Sequence, residues 1–72
     1  MKNYANLSNA SGVIAYEYGK DWIRVLFRGH ESYLYSYHST GKHHVETMKN
    51  LADSGKGLST YIAKYVKDQY DR

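Results

Sequence analysis

The chain has 72 residues, ten Lys and Arg against seven Asp and Glu, and a net charge of +3. That length suits one small domain, which buries only roughly 60% of its unfolded surface. It contains no cysteine, which excludes disulfides and thiolate metal sites, and no proline. No stretch approaches the roughly 18 consecutive apolar residues of a membrane span, and "MKNYANLSNA" lacks the apolar region of a secretion signal. The expected location is therefore the cytoplasm. Nine tyrosines stand out, because tyrosine carries apolar area with a polar tip and serves a small core or a binding surface equally well.

Residues 1–12 are small and polar, with Asn3, Asn6, Ser8, Asn9, Ser11 and Gly12. They are expected to form a flexible arm, docked through Tyr4 or Leu7. "GVIAYEYG" then reads as a first strand ending at Gly19, and "GKD" as a turn. In "WIRVLFR", Ile23, Val25 and Phe27 alternate with Trp22, Arg24, Leu26 and Arg28, the period of a strand with two different faces. "GHE" turns the chain again, and "ESYLYSYHS" sends Tyr33, Tyr35 and Tyr37 to one side of a third strand. From Lys42 to Ser54, Val45, Met48, Leu51 and Ala52 form one helical stripe, with Ser39 or Thr40 as N-cap and Gly55 as C-cap. Leu58, Tyr61, Ile62, Tyr65 and Val66 repeat that period in a second helix running to about Gln69. The expected fold is α+β: a three-stranded antiparallel meander followed by two helices on one face, β-β-β-α-α.

Two readings of the tyrosine row remain open. The rings complete the core beneath the helices, or they stack bases or another flat ligand. Ile23, Val25 and Phe27 need partners on the neighbouring strand, which favours the core. The opposite face then collects Trp22, Arg24, Leu26, Arg28 and Leu34, an apolar and cationic surface. Trp and Arg are common interface anchors, so Trp22, Leu26 and Leu34 are candidate contacts with a protein partner or a second copy. Trp22, Arg24 and Arg28 could alternatively hold RNA or another single strand, with Lys56, Lys64 and Lys67 on its phosphates. The plainer alternatives are a solvated charged face and an arm folded across the sheet.

"SGKGLST" offers glycines, Lys56 and hydroxyls where a nucleotide phosphate could sit, but it lacks the spacing of a phosphate-binding P-loop. It reads equally as a glycine-capped connection between helices. His30, His38, His43 and His44 have no metal-ligand spacing, so no metal or cofactor is expected. Glu17 and Asp21 are close in sequence but sit at a turn, and no nucleophile has a recognisable setting. The chain is expected to bind rather than catalyse.

From Val13 onward the sequence resembles the KTSC domain. The residues that carry the likeness are "IAYE" (14–17), "IRVLF" (23–27), "YLY" (33–35), the helical "HVETMKNLADSGKGLSTYI" (44–62) and a terminal tyrosine. That family is named after a carboxy-terminal domain of some lysyl-tRNA synthetases and also occurs as short stand-alone bacterial and phage proteins. The resemblance implies a KTSC-like domain over 13–72. By its synthetase association it implies RNA binding, or for a stand-alone phage or prophage form, action on a host factor. The family's Val-Pro after Y-x-Y is replaced here by "SYHSTGKHH", and its aromatic residues and Asn after the glycine by "GKGLST".

Overall fold

The computed structural model describes residues 1–7 and 12–71. It has four antiparallel strands in the order β1 (Lys2–Asn3), β2 (Val13–Tyr18), β3 (Trp22–Phe27) and β4 (Glu31–Ser36). Two helical segments follow, α1 (Lys42–Ser54) and α2 (Leu58–Tyr61), the latter continuing as a π-helix over Ile62–Val66. The α+β class and the β2–β3–β4 meander agree with the sequence pattern. The expected count of three strands does not, because the arm adds one: Lys2 pairs with Tyr16 and Asn3 with Ala15. A two-residue strand carries no readable periodicity, which is why it escaped the pattern. Residues 8–11 of the predicted arm lie outside the described residues.

Cross-strand partners share a face, so the register assigns both sides of the sheet. Tyr18, Ile23 and Tyr35 form one line, and Tyr16, Val25 and Tyr33 another. These lines face the helices. Ile23, Val25, Tyr35, Val45, Met48, Leu58 and Val66 are at most 1% exposed and make the centre of the core. Tyr33 and Tyr37 pack against this core and are half-buried. The tyrosine row therefore faces the helical layer.

Tyr4 continues the arm into the same core. It is buried, meets Tyr16 edge-on with ring centroids 6.5 Å apart, and its hydroxyl accepts a hydrogen bond from the Leu58 N–H at 3.2 Å. Leu7 is 69% exposed, but its N–H donates to the Gly55 carbonyl at 2.7 Å. Gly55 closes α1 in the left-handed conformation, φ 74°, with its N–H on the carbonyls of Leu51 and Ala52. A Cβ there would stand 2.6 Å from that of Ala5, so both backbone conformation and arm packing require glycine.

Three helical details differ from expectation. The N-cap of α1 is Gly41. The Ser39 hydroxyl is engaged with Ser36, and Thr40 donates to the Gln69 carbonyl. The second helix stops at Val66. Its π-helical turns, bonded i to i+5, advance less per residue than α-turns. Val66, rather than Tyr65, consequently falls over Leu58 and Ile62: Val66 is 0% exposed and Tyr65 52%. No helix among the described residues is long and apolar enough to cross a membrane.

Candidate functional site

The sheet face turned away from the helices carries the candidate site. Its cross-strand lines are Asn3–Ala15–Leu26–Ser32, Glu17–Arg24–Leu34 and Trp22–Ser36. Ala15 is buried, while Trp22, Arg24, Leu26 and Leu34 are half-buried. Between Val13 and Ala15 the register shifts, and the extra residue, Ile14, is 40% exposed.

Trp22 is set by local geometry. The Gly19 N–H donates to the Trp22 carbonyl at 3.1 Å, closing the β2–β3 turn. The indole then folds over Gly19 so closely that any Cβ at that position would run into it. Arg24 lies beside this ring, its Cζ 5.8 Å from the ring centroid, within cation–π range. Its Nη1 also donates to Glu17 Oε2 at 3.1 Å across the β2–β3 pair. Both side chains are more than a third exposed, so the ion pair is solvent-screened and contributes little to stability. Its effect is to hold an aromatic plane, a guanidinium and a carboxylate in a row beside Leu26 and Leu34. Alternation sets Glu17 opposite Tyr16 and Tyr18, but only the β2–β3 register places it beside Arg24.

The structure divides the residues predicted for nucleic-acid binding. Trp22 and Arg24 share the open face with the candidate interface residues Leu26 and Leu34. Arg28 is exposed just beyond β3, its N–H donating to the Gly12 carbonyl. The lysines belong to the helical layer. Lys56 lies between α1 and α2, Lys64 is 5.9 Å from the Tyr65 ring centroid, and Lys67 lines a cleft beside Tyr33 and Tyr70. The arginines and the lysines therefore do not form one track. In the glycine loop, the Ser54 hydroxyl donates to the Leu51 carbonyl at 2.8 Å, and the Leu58 N–H is taken by Tyr4. Two of that loop's polar groups are thus taken, one by the end of α1 and one by the arm.

A second polar network, with no signal in the sequence, lies between the sheet and α1. Tyr16 and Tyr18 each donate to Asp53 at 2.7 Å, and Tyr37 donates to Glu46 at 2.6 Å. Lys49 Nζ donates to Glu46 and to the Lys20 carbonyl, both at 2.8 Å, and stands near the Tyr18 and Tyr37 rings. Burial first, then Asp53, pushes the Tyr16 hydroxyl up to about 12. The bond to Glu46 pushes Tyr37 up to about 12, and burial does the same for Tyr35. Asp53 is lowered by its bonds from Tyr18 and Tyr16, and Glu46 by those from Lys49 and Tyr37. These shifts hold each tyrosine protonated and each carboxylate ionised. General acid–base catalysis near neutral pH needs the opposite displacement.

The histidines stay separate from any metal-like cluster: among the described residues no group of three His, Asp or Glu is placed to hold an ion. His44 Nδ1 lies 2.7 Å from the Tyr61 hydroxyl, and the His44 ring stacks with Tyr65. No family model, no curated protein and no solved structure matches the chain.

Proposed function

We propose that this chain is a small non-catalytic binding domain of the KTSC type whose open sheet face docks a protein surface, in the first instance the same face of a second copy. The observation that carries this reading is the row Trp22–Arg24–Glu17 beside Leu26 and Leu34. A surface that sets a cation and an anion beside apolar groups can complement itself. Across a two-fold axis, Arg24 of each copy can meet Glu17 of the other while the leucines and Trp22 close the middle. Acting on a host factor, as a stand-alone phage or prophage protein would, is the heterologous use of the same face.

Sedimentation equilibrium over a concentration series tests the proposal. The wild type is expected to dimerise. Arg24→Glu should drive it to monomer, and Glu17→Arg with Arg24→Glu should restore the dimer. A monomer at every concentration would overturn self-association.

Nucleic-acid binding is the second reading. It is favoured by one observation: an indole with a guanidinium alongside on the open face of an antiparallel sheet, a platform on which bases of single strands stack. Against it, Arg24 is already engaged by a carboxylate on that face. Labelled single-stranded RNA, followed by anisotropy at two salt concentrations, separates the readings. Binding that collapses with salt and disappears in Trp22→Ala would replace the protein-docking reading.

A further inference from the structure

The outer edge of β4 is covered in an unusual way. Ser36 is closed by its own turn, its carbonyl accepting the Thr40 N–H at 2.9 Å. Leu34 is closed by the chain's last described residues. The Asp71 N–H donates to the Leu34 carbonyl at 2.7 Å in an antiparallel bridge. The Ser36 hydroxyl donates to Asp71 Oδ1 at 3.2 Å, and Thr40 donates to the Gln69 carbonyl at 2.5 Å. Between these anchors the Tyr70 ring lies on Tyr33, centroids 4.6 Å apart, and meets Tyr35 edge-on at 6.3 Å.

This arrangement has the parts of a peptide complex formed by strand addition: backbone pairing to a sheet edge, one side-chain pocket and one polar anchor. The occupying segment is attached by one backbone bridge, two hydroxyl bonds and the Tyr70 ring. Lys67, Asp68 and Gln69 before it are exposed. Asp71–Leu34 is the one isolated bridge among the described residues. Local opening of this segment would bare the edge without unfolding the strands behind it. A cleft of about 370 Å³ lies beside the ring, where Tyr33, Tyr35 and Tyr70 are joined by the charged Glu31, Lys67 and Asp68.

We propose that the β4 edge with its aromatic cleft is a binding site for an extended peptide carrying an aromatic residue followed by an acidic one, and that Gln69–Asp71 is its built-in competitor. The peptide's aromatic ring takes the place of Tyr70, and its acidic residue bonds Leu34 and Ser36 as Asp71 does. The apparent affinity is lowered by the fraction of molecules in which the edge is covered. This site meets the open face at Leu34 and Ser36, but it uses the strand edge and a cleft beside Tyr33 and Tyr35, and it needs no second copy.

The test uses the full chain and a fluorescein-labelled peptide of sequence KDQYDR, that of residues 67–72. Asp71→Pro deletes the N–H that bonds Leu34 and the carboxylate that bonds Ser36. It should bind the peptide saturably and at least tenfold more tightly than wild type. Replacing the peptide's tyrosine by alanine should abolish binding, and so should Tyr33→Ala in a folded protein. No saturable binding by a folded Asp71→Pro variant would overturn the proposal. So would loss of its folded circular dichroism spectrum, because the segment would then be an integral part of the fold.

Discussion

The two faces of the sheet are built from adjacent residues on the same strands, yet they solve different problems. The helix-covered face uses tyrosine as a core residue whose tip remains wet or bonded. Tyr16, Tyr18, Tyr33 and Tyr37 each end on a carboxylate. The open face uses one indole, two leucines and an ion pair that water reaches. A tyrosine-rich composition therefore does not by itself indicate an aromatic binding platform. The strand period placed most of the aromatic area where the helices need it, and left Trp22 as the open face's single large ring.

Neighbouring positions on β4 sharpen this contrast most. Tyr35 is 1% exposed, and Tyr35→Ala should cost about 3–5 kcal/mol. Leu34, next to it but on the half-covered face, should cost only about 1 kcal/mol when changed to Ala. Urea denaturation of both variants checks this, and equal losses would break the distinction between the faces.

The next effect is confined to the helix-covered face and read by pH. Tyr16, Tyr35 and Tyr37 titrate at about 12 in the folded chain, against an ordinary value of 10.0. Below pH 10 both folded and unfolded chains are protonated, and the stabilisation is complete. From pH 10 to about 12 the unfolded chain ionises first, so stability falls with each step and is lost above. At the acid end, Asp53 and Glu46 are lowered. Their contribution is complete above the ordinary carboxylate range and disappears as pH falls through the folded values. Urea midpoints taken across both ranges, with tyrosinate absorbance, should show both losses.

Tyr16→Phe removes one buried hydroxyl from Asp53 and should cost about 1 kcal/mol, with the alkaline fall diminished. Smallest of all, Arg24→Ala should change stability by less than about 1 kcal/mol, because its partner is solvent-exposed. The same variant should nonetheless weaken association measured by sedimentation, separating what the open face does for folding from what it does for binding.

Much of this was legible in the sequence. The alternation of Ile23, Val25 and Phe27 favoured an inward-facing tyrosine row without deciding it, and Gly55 announced the end of α1. What escaped was non-periodic or distant. Lys2–Asn3 is too short to show a period. The Tyr16–Asp53 and Lys49–Lys20 contacts join residues 37 and 29 positions apart, and no local pattern encodes them. The π-helical turns moved Tyr65 out of a stripe in which α-helical spacing would place it. Of the candidate site, Trp22, Arg24, Leu26 and Leu34 were readable as one face. Glu17 was not, because its role depends on the β2–β3 register. The assembly of Arg24 with Lys56, Lys64 and Lys67 was suggested by charge alone, and charge carries no information about which layer a residue joins.

The Tyr4–Leu58 hydrogen bond spans 54 positions and fastens the amino-terminal strand to the second helix. Hairpins β2–β3 and β3–β4 involve only near neighbours in sequence, whereas this clasp can close only after the sheet and both helices have met. It is therefore expected to form after the rate-limiting step of folding. Loosening it with Tyr4→Phe should leave the refolding rate nearly unchanged and hasten unfolding, making this hydroxyl a determinant of how long the folded molecule lasts rather than of how fast it forms.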